Sequence, residues 1–182
     1  MKIILLSGPP GVGKTTMANR LATTMTINGL TVSGITTREV RENGNRIGFK
    51  ITDLTTREEG WLAKKDQSVG PKIGSYRVIS EDLERIGVNA IERATREPID
   101  LIIIDEVGPI EMSSPSFRRM LPRILDGERP TIATVKLGSR YPEVEEVRSK
   151  CIQFEITKDN RDMIYQRVVK QVDEWIQTKG RN

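Results

Sequence analysis

The segment Gly8-Pro-Pro-Gly-Val-Gly-Lys-Thr15 decides the fold. It matches the pattern G-x-x-x-x-G-K-[ST] at every defined position. The apolar run Ile3 to Leu6 before it predicts a buried strand, and Met17, Leu21 and Met25 after it recur at helical spacing. A glycine-rich turn between a strand and a helix aims backbone N–H groups and the positive helix end at one point. We therefore predict a phosphate-binding loop here.

The residues of this loop have different expected roles. Lys14 is expected to reach the β- and γ-phosphates and to stabilise charge on the transferring group, and Thr15 offers its hydroxyl to Mg²⁺. The whole stretch is expected to surround bound phosphates, namely Gly8, Pro9, Pro10, Gly11, Val12, Gly13, Lys14, Thr15 and Thr16. The alternative is a glycine-rich turn with a chance Lys-Thr, which leaves the flanking strand and helix unexplained.

A second element is the run Leu101-Ile-Ile-Ile-Asp105-Glu106. A hydrophobic strand that ends on an acid is the Walker B arrangement, in which Asp105 holds Mg²⁺ through water. Glu106 stands where many P-loop ATPases keep the carboxylate that orients and deprotonates the attacking water. Small-molecule kinases of this fold activate a substrate hydroxyl and do not generally need that glutamate. The Asp-Glu pair therefore favours an enzyme that activates water over a kinase. The alternative for this element is an ordinary strand end with two solvated acids.

Composition excludes several classes of chemistry. The 182 residues contain no histidine and one cysteine, Cys151. Zinc sites built from His and Cys, and Ser-His or Cys-His triads, are therefore excluded. The length predicts a single domain over residues 1–182. The sequence contains no run near the roughly 20 apolar residues of a membrane span, and a single cysteine suits a reducing compartment, so we expect a cytoplasmic protein.

The charge distribution indicates a phosphate-bearing small ligand. The net charge is +4, and residues 1–50 hold seven Lys or Arg against two Glu. A nucleic-acid groove needs tighter clustering and usually some aromatic residues, which make up only 4% of the chain. The composition therefore disfavours nucleic acid as a partner without excluding it.

Short apolar runs alternate with amphipathic stretches from end to end. The runs predict strands at Ile3–Leu6, Val32–Thr37, Leu101–Ile104, Thr131–Val135 and Ile152–Ile156. Continuous apolar runs suit strands covered on both faces, as in a parallel sheet. Arg46–Thr52 and Gly60–Lys64 instead predict an antiparallel hairpin inserted after the second main strand, and residues 66–75 predict a flexible loop. The expected fold class is an α/β three-layer sandwich.

Five segments carry a family resemblance: Gly8–Thr16, Gly34–Arg41, Gly44–Phe49, Ile104–Met112 and Thr157–Arg161. Together they resemble the small nucleoside-triphosphatases of thermophilic prokaryotes, a family that has a human cancer-related relative. The resemblance implies a P-loop NTPase with a RecA-like, mostly parallel sheet and a hairpin insertion. It also implies Mg²⁺-dependent hydrolysis of nucleoside 5′-triphosphates, ATP and GTP among them, to the diphosphate and phosphate. By the same resemblance two stretches contact the nucleotide. One is Gly8–Thr15, and the second comprises Leu101, Ile102, Ile103, Ile104, Asp105, Glu106, Val107 and Gly108.

The chain departs from the family pattern at one informative position. Where the resemblance leads us to expect Gly-Lys-Met-Glu, the sequence has Gly108-Pro109-Ile110-Glu111. A basic group near the γ-phosphate is therefore either missing or supplied elsewhere.

Arginine residues offer further contacts. Arg38, Arg41 and Arg46 are candidates for an internal arginine finger, with salt bridges to Glu39 and Glu42 as the alternative. Asn160 and Arg161 follow the last predicted strand and are candidates for contact with the base or ribose, or for capping the next helix.

Two other function classes stay open at this point. A nucleotide or nucleoside kinase could use the same loop, and it would release little phosphate without an acceptor. A nucleotide switch regulated by RNA or by a partner protein would be strongly stimulated by that partner.

Overall fold

The computed structural model describes residues 1–179 of the chain, and the side chains of residues 1–178. The strands are β1 (Ile3–Gly8), β2 (Val32–Glu42), β3 (Asn45–Asp53), β4 (Glu59–Lys64), β5 (Lys72–Ile73), β6 (Tyr76–Val78), β7 (Leu101–Val107), β8 (Thr131–Lys136) and β9 (Ile152–Glu155). They form one sheet in the order β5-β6-β4-β3-β2-β7-β8-β1-β9.

The helices alternate with the parallel strands. They are α1 (Lys14–Ile27), α2 (Ser80–Asp82), α3 (Asn89–Arg96), α4 (Pro115–Ile124), α5 (Pro142–Arg148) and α6 (Arg161–Lys179). A π-helical turn, Leu83–Val88, joins α2 to α3, and a 3₁₀ turn, Glu111–Ser113, precedes α4. The periodicity of the last helix predicts that it ends before Gly180, and that residue lies outside the described part of the chain. Within residues 1–179 no helix is both long and apolar enough to cross a bilayer.

The five predicted main strands are confirmed, and they pair in parallel. β1 lies between β8 and β9, and β7 lies between β8 and β2, each with parallel register. Their carboxyl ends therefore share one edge of the sheet, where the phosphate-binding loop leaves β1. This edge is where ligands bind in open α/β sheets.

Two apolar cores cover the two faces of the sheet. Ile4 and Leu6 pack with α1 and α6 on one side. Ile3 and Leu5 pack with the segment 83–94 and α4 on the other. Alternate residues of β1 thus pack into opposite cores, which explains why the sequence of this strand is a continuous apolar run. The three-layer prediction is confirmed.

The insertion after the second main strand is larger than a hairpin. β2 continues to Glu42 and pairs with β3, which pairs with β4, both antiparallel. Residues 66–75, predicted as a loop, contribute β5, which pairs with β6 at the edge of the sheet. The predicted hairpin is confirmed as β3 and β4, within a four-stranded antiparallel extension of the parallel half.

Candidate active site

The phosphate-binding loop joins β1 to α1. It needs glycine where φ is positive and where a Cβ atom would collide with neighbouring atoms. Gly13, the residue before α1, has φ 106°, and Gly11 has φ 75°. Both lie in the left-handed region, which glycine enters without a steric cost. At Gly8 a Cβ atom would lie 2.9 Å from the Ile156 carbonyl oxygen and 2.9 Å from Val12 Cγ1. The glycines therefore allow the loop to fold tightly at the sheet edge.

Lys14 is buried beneath this loop. Its side chain is 6% exposed, and Nζ donates to the carbonyl oxygens of Gly8 (3.1 Å) and Pro9 (3.4 Å). Nζ also lies 3.7 Å from Oε2 of Glu106. The two predicted catalytic side chains, from loop and strand, therefore meet in the structure.

Asp105 is fully buried and held by hydroxyl groups. Thr134 Oγ1 on β8 donates to its Oδ1 (2.6 Å), and Thr37 Oγ1 on β2 donates to its Oδ2 (3.4 Å). Burial raises the pKa of this carboxyl, while hydrogen bonds from Thr134, Thr15 and the Thr37 amide oppose the rise, as does the charge of Lys14. Neither Thr37 nor Thr134 was singled out from the sequence, since each lies on a strand far from Asp105 along the chain.

Glu106 is placed to contact solvent. Its side chain is 28% exposed, in contrast to Asp105. Burial raises the pKa of the Glu106 carboxyl, and the neighbouring charge of Asp105 adds to the rise, while Lys14 and Lys136 lower it. A carboxylate that is basic and reachable by water suits proton abstraction.

Glu111 is a buried acid that the sequence interpretation did not single out. It is 4% exposed, and its Oε2 accepts the Gly108 amide hydrogen at 3.1 Å. Burial raises its pKa to about 8, and the charges of Glu106 and Asp105 add to the rise. The neutral acid thus holds the turn that follows the Walker B strand. Its position in the apolar sequence Ile110-Glu-Met112 was the available signal.

Lys136 was also not among the predicted site residues. It ends β8, and the parallel register places it opposite Gly8. Its side chain is exposed, and its charge lowers the pKa of Glu106. A flexible cation therefore stands at the end of β8, the strand that pairs with β7. Pro109, where the family resemblance had led us to expect lysine, is exposed after the end of β7.

The oxygen atoms of this site fit a magnesium ion. The Thr15 side chain opposes the rise in the pKa of Asp105, so a carboxylate and a hydroxyl lie near each other at the end of the phosphate loop. Residues 1–179 contain no group of three or more His, Cys, Asp or Glu side chains placed to hold a metal. That is compatible with Mg²⁺, which takes one or two protein ligands together with waters and phosphate oxygens.

The second predicted nucleotide-contacting stretch divides into two parts. Leu101 and Ile103 are buried in one core, Ile102 and Ile104 in the other. These four side chains hold β7 in the sheet. The second part, Asp105–Gly108, lies at the strand end that faces the phosphate loop.

The three candidate arginines all form ion pairs on the antiparallel extension. Arg38 makes two hydrogen bonds to Glu59 (2.9 and 3.0 Å). Arg41 and Arg46 both bind Glu39 (2.8 and 2.5 Å). Arg38 follows Thr37, which contacts Asp105, and is thus the member of the trio next to the site along its strand.

A cavity of about 300 Å³ adjoins the phosphate loop. Its lining residues are Gly13, Thr16, Met17, Arg20, Arg161, Asp162 and Tyr165. The Arg20 guanidinium stacks over the Tyr165 ring at 3.8 Å and lies 3.3 Å from Asp162 Oδ1. The predicted candidate Arg161 therefore faces this cavity.

Asn160 has a different role from Arg161. Its side chain accepts the Thr157 amide hydrogen (2.8 Å) and donates to the Glu155 carbonyl oxygen (3.0 Å). It therefore shapes the loop before α6.

Comparisons with known proteins agree with this geometry. A family model described as NTPase matches residues 3–169. The nucleoside-triphosphatase THEP1 of Thermofilum pendens is 39% identical over 94% of this chain and 95% of its own. That of Methanopyrus kandleri is 38% identical over 97% and 98%.

Two solved structures share the fold. The crystal structure of THEP1 from the hyperthermophile Aquifex aeolicus has a TM-score of 0.82 and 29% identity, covering 93% of this chain and 98% of that one. The solution structure of a human cancer-related nucleoside triphosphatase has a TM-score of 0.76 and 28% identity, covering 96% and 98%. The predicted P-loop NTPase fold is confirmed, and the chain belongs to the NTPase family that includes the THEP1 nucleoside-triphosphatases.

Proposed function

We propose that this chain hydrolyses nucleoside 5′-triphosphates to the diphosphate and phosphate with Mg²⁺. The observation that carries the proposal is the convergence of Lys14 and Glu106, 3.7 Å apart, at the mouth of the phosphate loop. Hydrolysis requires a cation for the phosphates, which the loop supplies as Lys14, and a solvent-accessible carboxylate for water, which β7 supplies as Glu106. The family relationship supports the same reaction.

Magnesium, when bound, neutralises charge on the phosphate oxygens. Thr15 and Asp105 are the residues that would hold it, the hydroxyl directly and the carboxylate through water. Because hydroxyl groups from two other strands brace Asp105, its carboxylate is already oriented before the ion arrives. Such bracing of a metal-binding carboxylate is common in metal sites.

Glu106 would orient a water molecule and accept its proton. Its raised pKa makes the carboxylate a stronger base than an exposed glutamate, while the charge of Lys14 opposes the rise. Lys14 would stabilise the charge that spreads over the transferring phosphoryl group.

We further propose that Lys136 supplies the basic group that is absent at Pro109. Lys136 on β8 is paired with Gly8 on the neighbouring strand β1, and its charge lowers the pKa of Glu106. An exposed four-carbon side chain can turn toward a γ-phosphate without disturbing the core.

Arg38 is the arginine that we propose as the internal finger. It lies on the strand that contacts Asp105 and would leave Glu59 to reach the substrate. The side chains of Arg41 and Arg46 are directed to Glu39 instead.

We infer that the cavity beside Gly13 receives the base and ribose with little selectivity among bases. Arg20, stacked on Tyr165, offers a flat cationic surface, and Arg161 offers donors. Stacking is tolerant of base identity, and the sequence has no N-K-x-D motif that would read guanine. ATP, GTP, CTP and UTP are all expected to be substrates.

Phosphate release from these four nucleotides, measured without an acceptor, tests the proposal. We expect release from each, loss of activity when EDTA removes divalent metal, and recovery with added Mg²⁺. A Lys14→Ala preparation purified identically controls for contaminating phosphatases. Phosphoryl transfer to an added nucleoside or nucleotide, with negligible release in its absence, would contradict hydrolysis and support a kinase.

A further inference from the structure

The antiparallel extension has one covered face and one open face. Ile51, Leu62 and Val78 point into the core formed with the segment 83–94. Residues that lie directly opposite one another on paired strands share a face, so the register identifies the side chains on the other side.

Besides Arg38, which is opposite Lys50, that register aligns four cations and a tryptophan on the open face. Lys50 on β3 is opposite Trp61 on β4, and Lys64 on β4 is opposite Arg77 on β6. Arg77 is in turn opposite Lys72 on β5. We define these five residues as the basic stripe: Lys50, Trp61, Lys64, Lys72 and Arg77. The stripe crosses three strand spacings, which is about 14 Å.

Trp61 lies between two lysines at one end of the basic stripe. Lys50 Nζ is 5.4 Å and Lys64 Nζ is 4.8 Å from its ring centroid. The ring lies against Gly48, where an added Cβ would come within 3.1 Å of Trp61 Cζ3. The absence of a side chain at Gly48 thus leaves a platform for the ring, and Trp61 is partly exposed.

Acidic residues neutralise only part of the positive charge of the basic stripe. Glu59 binds Lys50 (2.6 Å), but it also binds Arg38, and Asp66 lies 3.6 Å from Lys64. Arg77 donates to the uncharged Gly70 carbonyl oxygen, and Lys72 is exposed at the sheet edge. The stripe therefore keeps a net positive charge.

We propose that the basic stripe binds single-stranded nucleic acid. A row of cations matches the regular charge of a phosphate backbone, and an exposed aromatic ring flanked by cations is the surface on which an unpaired base stacks. The tryptophan favours this partner over an acidic peptide, which offers no flat ring system, and over a duplex, whose base faces are covered. Low overall aromatic content concealed the surface, because only the strand register gathers its members.

The protein's own tryptophans provide the assay. Trp61 and Trp175 are the two in the chain, so Trp175→Phe leaves Trp61 as a single reporter. Titration with 12-nucleotide oligouridylate or oligothymidylate should quench its fluorescence saturably. Engagement of three cations should give a slope of about −2 for log K against log salt, at about −0.7 for each phosphate contact.

Single substitutions distinguish binding by the basic stripe from general attraction to a positively charged protein. Trp61→Ala, followed by polarisation of a labelled oligonucleotide, should weaken binding about 5- to 150-fold, the range for loss of one stacked base. Lys72→Gln, at the exposed edge, should reduce the salt slope by about 0.7 with unchanged melting temperature. Lys170→Gln on α6, whose lysine is 81% exposed, is the matched control and should bind as the parent does.

Arg38, the proposed finger, is opposite Lys50 and shares Glu59 with it. Trp61→Ala removes neither of these ion-pairing side chains, so basal phosphate release should be unchanged in this variant. Three results would overturn the proposal. They are the absence of saturable quenching at low salt, equal affinity for duplex or polyglutamate, and parental affinity in a folded Trp61→Ala protein. Comparison of the uridylate and thymidylate arms then shows whether RNA or DNA is preferred.

Discussion

Lys14 Nζ lies 3.7 Å from Glu106 Oε2, between a loop that follows β1 and the end of β7. The contact joins the cation that the loop motif supplies to the carboxylate that the strand supplies. It also affects the pKa of Glu106, which burial raises and the charge of Lys14 lowers. The candidate base therefore lies beside the lysine that we expect to bind the β- and γ-phosphates.

Lys14→Ala should abolish turnover and weaken triphosphate binding. The substitution removes a charge aimed at the β- and γ-phosphates, and a methyl group cannot replace it. We expect kcat to fall at least 100-fold, in the range for loss of a preorganised donor. Phosphate release and nucleotide affinity, with Lys170→Ala as the control for loss of one lysine, measure the effect. Turnover within a factor of two of the parent would remove the loop from the mechanism.

The parallel half of the fold and the phosphate loop could be predicted because their signals are local. Ile3–Leu6 and Leu101–Ile104 are continuous apolar runs, and Gly8–Thr15 is an unbroken motif. β5 and β6 were missed because strands of two and three residues carry too short a pattern to recognise. Their pairing depends on β4, which only the tertiary fold supplies.

The residues of the candidate site were predictable where a single strand or loop carries a recognisable motif. Asp105, Glu106 and Lys14 follow from the motifs, whereas Thr37 and Thr134 come from other strands and meet Asp105 through the sheet order. The same holds for the basic stripe, whose members share a face only through antiparallel register. The functions assigned to Lys14, Glu106 and Arg38 stay predictions until they are tested.

Glu111→Gln should alter the dependence of stability on pH. With its pKa raised to about 8 in the fold and near 4.3 when unfolded, Glu111 binds a proton in the native state between these values. Parent stability should therefore fall as pH rises from about 5 to 8, by about 4 kcal/mol at most. The glutamine keeps an oxygen for the Gly108 amide without ionising.

Urea unfolding at pH 5 and pH 8 measures this difference. The variant should match the parent at pH 5 and exceed it at pH 8. Glu146→Gln, at an exposed position on α5, should behave as the parent does at both values. A Glu111→Gln protein that loses as much stability as the parent across this range would contradict the assignment of a neutral buried acid.

Lys136→Ala should lower kcat about tenfold, less than a fully buried donor would cause, since the side chain is exposed. Adding Pro109→Lys to this variant should restore much of the loss, because it places a cation after the end of the neighbouring strand β7. Steady-state kinetics of the single and double variants provide the test. Parental kinetics in Lys136→Ala would show that this cation has no catalytic part.

Arg38→Ala should lower kcat, whereas Arg41→Ala and Arg46→Ala should keep more than half of the parent value. The latter two are matched controls, because each also breaks an ion pair on the antiparallel extension. A tenfold or greater loss is expected for an arginine that stabilises transition-state charge. If all three variants keep more than half of the parent kcat, an internal finger from this strand is wrong.

The most direct measurement is kcat of Glu106→Gln, taken together with ATP affinity and melting temperature. The glutamine keeps the size of the side chain but can neither take a proton from water nor carry its charge. Chemistry should slow by roughly 10²–10⁴, or about 3–5 kcal/mol of barrier. ATP affinity should hold or improve, since a carboxylate no longer repels the γ-phosphate. A folded Glu106→Gln protein with kcat within threefold of the parent would contradict the hydrolytic mechanism.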